Sequence, residues 1–194
     1  MKLADLLRLD RAIKVIGFDD APFSRTSGSM VSIAGIVCGG TRFEGMVWGQ
    51  VLPDGLDATD AISGLLLGGK FLPQLHLVLL DGIAFGGFNI IDLPELASRL
   101  QIPCVAVMRR QPDLAAVEKA LGHLPDSEYR LELLRRAGKI HAFEPFFFQV
   151  CGEKPEVIAL VLQCLTDIGK VPEALRLAHL IGAAVINGVS SSSA

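Results

Sequence analysis

Two stretches, "KVIGFDD" at residues 14–20 and "LHLVLLD" at residues 75–81, run apolar on successive positions and stop at acids. A strand with one wet face alternates apolar and polar residues. A continuous run of strand length instead needs cover on both faces, which parallel strands receive from crossover helices. "IPCVAVM", residues 102–108, is a third such run. A chain that buries these strands folds as a sheet between helical layers, and a right-handed crossover sets "VLLD" beside "IGFD". The terminal acids then meet at one sheet edge.

The remaining elements follow from spacing and turn residues. Leu3, Leu6 and Leu7 mark a short amphipathic helix at the start. "SMVSIAGIVCGG" and "TRFEGMVWGQV" read as two strands turned at Gly39-Gly40, an antiparallel hairpin. A helix is expected from near Asp57 to Gly68-Gly69. Further helices are read in "LPELASRLQ", "PDLAAVEKALGHL", "DSEYRLELLRRAG", "PEVIALVLQCLTDIG" and "PEALRLAHLIGAAVI". "KIHAF" and "FFFQVC" pair at the edge around Pro145, with the phenylalanines as core. The fold class is therefore α/β, a mixed sheet of three early antiparallel strands plus parallel strands. Residues 1–188 are read as one domain and 189–194 as a disordered tail.

The chain has 194 residues, 51% of them hydrophobic, and a mean hydropathy of +0.46. Its richest apolar stretch is broken by Asp81, Asp92 and the glycines between them, and "VIALVLQCL" is too short to span a bilayer. The N-terminus lacks the pattern of a signal peptide. The reading is a cytoplasmic protein with no membrane partner. A net charge of −3 and a pI near 5.8 argue against a non-specific nucleic-acid coat, though not against a local basic groove. Cys38, Cys104, Cys151 and Cys164 lie in apolar surroundings without CxxC or zinc-finger spacing, and read as free buried thiols.

Asp19 and Asp81 each end a strand, and Asp60 lies in the first turn of the helix between them. Asp54 and Asp57 compete with Asp60, one of them as an N-cap. Hard divalent cations want converging carboxylate oxygens, and such ions activate water and stabilise a leaving oxygen in phosphodiester cleavage. Asp19 and Asp20 are adjacent on a strand and point to opposite faces, so only one is expected to serve a given face. Asp92 reads as the N-cap of "LPELASRL", since Pro94 follows just inside the helix. From spacing alone, His179 is a core histidine. His76, His123 and His141 have no partner at ligand spacing.

"GFDDAPF", "DGLDATD", "LLDGIAFGGFNIIDL" and "PEALRLAHLI" together resemble the family called domain of unknown function 99, over residues 12–188. That family is a relative of endonuclease V with a ribonuclease H-like fold. The resemblance implies a sheet with helices on both faces and a metal centre. Gly17-Phe18-Asp19 matches the enzyme's first metal-binding aspartate, favouring Asp19 over Asp20. Asp60 falls where a metal-binding glutamate opens the next helix, one methylene shorter. Asp81-Gly82 matches its strand-ending Asp-Gly. Arg109 stands where a lysine meets the phosphate, and His179 near the metal as a proton-transfer group. The "GIAFGGFN" loop, with Gly82 and Asn89 at its ends, is read either as a phosphate- or substrate-binding cradle of backbone N–H groups or, equally, as glycines that let the strand and helix pack closely.

The departures bear on substrate. The His-Pro-Arg of the enzyme's loop is replaced by Gly86-Gly87-Phe88-Asn89, and its Tyr-Ile-Pro-Gly wedge by "GQVLPDG". Cleavage is therefore expected not to select deaminated bases. The implied function is Mg²⁺- or Mn²⁺-dependent endonuclease action on phosphodiesters of RNA or DNA, on a single-stranded or flexible nucleic acid. Metal would sit on Asp19, Asp60 and Asp81. The alternative is a catalytically silent nuclease-like fold that binds a nucleotide or nucleic acid.

Overall fold

The computed structural model describes residues 1–25 and 28–191. In chain order, helix α1 (Leu3–Arg8) leads into β1 (Lys14–Asp20) and the hairpin of β2 (Val31–Gly39) and β3 (Arg42–Val51). Next come α2 (Ala58–Leu66), β4 (Leu77–Asp81), the two-residue strands β5 (Ala84–Phe85) and β6 (Asn89–Ile90), and α3 (Leu93–Leu100). Strand β7 (Cys104–Met108) precedes α4 (Leu114–Leu121) and α5 (Ser127–Arg136). The hairpin of β8 (His141–Phe143) and β9 (Phe146–Cys151), then α6 (Pro155–Cys164) and α7 (Glu173–Asn187), follow. Residues 192–194, within the expected disordered tail, lie outside the described residues.

One mixed seven-stranded sheet runs in the order β3-β2-β1-β4-β7-β9-β8. Strands β1, β4 and β7 are parallel neighbours, with Val15 opposite Leu77 and Asp81 opposite Val107. The early hairpin adds antiparallel to β1, and β9 adds antiparallel to β7. The parallel centre accounts for the unbroken apolar runs, because alternate residues enter two separate cores. Val15, Leu77, Leu79, Val105 and Val107 pack with residues of α1, α6 and α7. Ile16, Phe18, Val78, Leu80 and Ala106 pack with α2 and α3 on the other face. Phe146 and Phe148 are buried in the first core, as core rather than platform. No helix among the described residues is long and apolar enough to cross a membrane. All four cysteines are free; Cys38 and Cys104 are buried as expected, whereas Cys164 is exposed.

Helix α7 lies directly on β1 at Gly17. A Cβ there would stand 2.7 Å from the Ala174 carbonyl carbon and 2.8 Å from the Leu175 amide nitrogen. Both neighbours are backbone, so no side chain can swing aside. Gly17→Ala is expected to destabilise the protein by about 1–3 kcal/mol, the usual cost of overpacking. Urea unfolding measures this, and an unchanged midpoint would mean that the helix is not held at that distance.

Candidate metal centre

At the C-terminal edge of the parallel strands, on the α7 face, Asp19, Asp81 and His179 converge. One ligand atom from each lies within 4.8 Å of the others. Position along the strands explains the pair of acids. Asp19 follows Val15 and Gly17 by steps of two, and Asp81 follows Leu77 and Leu79, so both emerge on the same face. The close approach at Gly17 lets α7 run along β1 and deliver His179. Its Nδ1 lies 2.9 Å from Asp19 Oδ2. Arg109, just beyond β7, donates from Nη2 to Asp81 Oδ2 at 3.1 Å. A groove lined by these four residues and Asp20, Ala21, Pro22 and Phe23 runs along the edge.

The electrostatics are those of an acid cluster without enough countercharge. Asp19 is only 5% exposed, and its carboxyl is pushed up to about 8. Burial is the main cause, reinforced by the neighbouring carboxylates of Asp81 and Asp20, while Arg109 acts in the opposite direction. Asp20 is also raised, chiefly by burial, against the effect of the Gly86 N–H that donates to its Oδ2 at 2.6 Å. Two carboxylates and an imidazole within reach of one point suit a divalent cation, whose charge would relieve this repulsion. These residues fit such an ion.

Two sequence expectations need correction. Asp60 is not at this edge. Its side chain is 71% exposed and accepts from Arg99 Nη1 at 2.5 Å. The cause is helix phase: Ala58, Thr59, Ile62, Ser63 and Leu66 point inward, which turns Asp60 outward on the sheet face opposite α7. That phase was readable from the apolar spacing. Of the adjacent acids Asp19 and Asp20, Asp19 joins the cluster with Asp81 and His179, and Asp20 lines the groove beside it.

The second correction concerns the Gly-rich loop as a cradle. Asn89 is fully buried; it accepts from the Ala58 N–H at 3.0 Å and donates to Leu52 O and Asp57 Oδ1. The N–H groups of Gly82, Gly86 and Phe88 donate to Val107 O, Asp20 Oδ2 and Asp54 Oδ1. These donors are spent inside the protein and cannot also cradle a phosphate. Asp92 caps α3 by accepting from the Glu95 N–H at 3.2 Å, and pairs with Arg136.

One residue of this region carried no signal in the sequence. Arg130, on α5, is 2% exposed, and its guanidinium donates to the carbonyls of Asp54, Gly55, Phe88 and Pro125. It ties α5 to the turn after β3 and to the β5–β6 hairpin. In the sequence it is one more charge on a polar helix.

Comparison with known proteins gives the family and the fold. A UPF0215 protein of Methanothermobacter thermautotrophicus is 38% identical over 187 residues, covering 94% of this chain and 92% of that one. A protein of unknown function from Archaeoglobus fulgidus has the same fold at a TM-score of 0.84 and 31% identity, over 89% of this chain and 98% of its own. Endonuclease V of Ciona intestinalis, solved in complex with a 24mer DNA containing an inosine followed by a ribo-adenosine, superposes at a TM-score of 0.59. It is 15% identical, over 93% of this chain and 88% of its own. The fold is thus ribonuclease H-like, of the endonuclease V kind. The endonuclease dU family matches residues 11–186, and the chain belongs to that family.

Proposed function

We propose that this protein is a divalent-metal-dependent endonuclease that hydrolyses a phosphodiester bond in nucleic acid, with Mg²⁺ or Mn²⁺ as the ion. The observation that carries the reading is the convergence of Asp19, Asp81 and His179 at one sheet edge. Asp19 and Asp81 hold the ion, and Asp20 adds negative charge beside them. When bound, the ion supplies Lewis acidity for the phosphoryl group and lowers the pKa of a water. Arg109, 44% exposed next to Asp81, meets the incoming phosphate. Its fork suits two phosphate oxygens better than a lysine would. His179, oriented by Asp19 through Nδ1, moves a proton at Nε2.

The family's description names dU, and the Ciona endonuclease V was solved with an inosine-containing DNA. Uracil and hypoxanthine are both deaminated bases. DNA carrying deoxyuridine is therefore the first substrate to test, against the expectation of no such selectivity that the missing wedge raised. An open strand is favoured, since extruding a paired base costs a few kcal/mol. The assay uses end-labelled single- and double-stranded oligonucleotides, with deoxyuridine, inosine or normal bases, in Mg²⁺, Mn²⁺ or EDTA. Metal-dependent cutting is the expected result. Binding without cutting under every metal condition would leave the silent nuclease-like fold instead.

A further inference from the structure

Antiparallel strands β7 and β9 bring two cysteines face to face. Cys104 opens β7, Cys151 closes β9, and the ladder pairs them directly, as it pairs Val105 with Val150. Residues directly opposite in a ladder share one face, here the side of the core that α3 covers. Opposite residues of an antiparallel pair have Cα atoms about 4.5–5.5 Å apart, and a disulfide needs about 4.4–6.8 Å. This pair can be bridged without moving either strand. The other two thiols have no such neighbour. Cys38 faces Val15 and Phe43 in the core on the α7 side, and Cys164 ends α6.

The two paired thiols differ in access. Cys104 is fully buried, and its Sγ lies 3.7 Å from the Ile102 carbonyl oxygen. Burial pushes its thiol well above the ordinary range, and Cys151 adds to the effect. Cys151 is half-buried and lines a groove of about 330 Å³. Pro94, Ala97 and Ser98 of α3 line the same groove, with Ile102 and Pro103 from the segment before β7. That volume admits a small molecule. A reagent in the groove meets Cys151 first, and Cys104 is the thiol beside it. An accessible thiol with a buried one in bridging register is the arrangement of an attacking and a resolving cysteine.

We infer that Cys104 and Cys151 form a reversible dithiol–disulfide pair, oxidised by a small-molecule disulfide that enters along this groove. The Cys151 thiolate attacks one sulfur of the reagent, releases the other half as a thiolate and becomes a mixed disulfide. Cys104 then loses its proton to the released thiolate and attacks Cys151 Sγ. The bond between Cys151 and the reagent breaks, and the second half leaves, taking up the proton first shed by Cys151. Two protein thiols and one reagent disulfide become one protein disulfide and two reagent thiols. Because the second step is intramolecular, proximity offsets the reluctance of Cys104 to ionise. The bond joins the start of β7 to the end of β9, at the end of β7 remote from Arg109. It closes α4, α5 and the β8–β9 hairpin into one covalent loop.

The test uses the full chain with exposed Cys164 replaced by Ser, which removes that thiol's own adducts. Protein is equilibrated in buffers of reduced and oxidised glutathione, quenched with iodoacetamide and digested for peptide mapping. Oxidising buffer should give the peptide of Cys104 linked to that of Cys151, and dithiothreitol should reverse the link. Adding Cys104→Ser blocks the second step, so Cys151 should accumulate a glutathione adduct. The oxidised chain should melt about 5–10 °C above the reduced one, because the bond restricts the unfolded ensemble. The link and the melting shift are read without Cys104→Ser, so they decide the matter even where that variant fails to fold. A glutathione adduct that persists on Cys151 while Cys104 stays a thiol overturns the inference. So does a link that forms only in urea, or an oxidised chain that melts below the reduced one.

Discussion

Asp81→Asn is expected to lower metal-dependent cleavage at least ~100-fold, while Asp60→Asn leaves it within the scatter of wild type. Loss of a partner outside the ligand shell already costs about 10–100-fold in metalloenzymes, and a ligand costs more. Asp81 contributes one of the two carboxylates at the cluster and also anchors Arg109. Asparagine keeps the shape and removes the charge that holds the ion. Asp60 stands on the outer side of α2, paired with Arg99, where its loss touches only an exposed ion pair. Equal losses in the two variants would mean that the edge described here is not where the chemistry occurs. Initial rates at saturating Mn²⁺ settle the comparison.

The second large effect is a reversal of sign. With its folded pKa near 8 against an ordinary 3.8, Asp19 keeps a proton in the folded chain that it loses in the unfolded one. Its contribution to stability is fully present below about pH 4 and is lost as pH rises through 8. In metal-free buffer, Asp19→Asn should therefore be more stable than wild type at pH 8–9, by on the order of a few kcal/mol. The advantage should shrink as pH falls toward 4. Saturating metal acts the other way, because an ion bound only to the folded state adds about 2.7 kcal/mol at one hundred times Kd. Wild type should gain this and the variant should not, so the difference between them narrows or reverses. Thermal unfolding across pH, with EDTA and with Mn²⁺, measures both arms. A variant less stable than wild type in EDTA at high pH would contradict the electrostatic description of the cluster.

Much of this molecule is legible in its sequence because its elements follow period and punctuation. Apolar runs such as "LVLLD" can be covered on both faces only in the middle of a parallel sheet, and Gly40 marks the hairpin by its φ of +62°. The order of β1 beside β4 followed from crossover handedness. What escaped was decided at shorter range. Strands β5 and β6 are two residues each, too short for any alternation to show. Asp60 was matched by its distance along the chain, when the phase of Ile62 and Leu66 already turned it outward. Arg130 is an ordinary polar residue in the sequence, and its role arises from the four loop carbonyls that fold over it.

The central claim is that the acids at the ends of β1 and β4 form one cation site. Crystals soaked in Mn²⁺ and measured for anomalous scattering test it directly. The account predicts a peak between the Asp19 and Asp81 carboxylates, on the α7 side of the sheet and beside His179. A peak at Asp60 and Arg99, or no peak at the strand edge at Mn²⁺ concentrations that support cleavage, would contradict it.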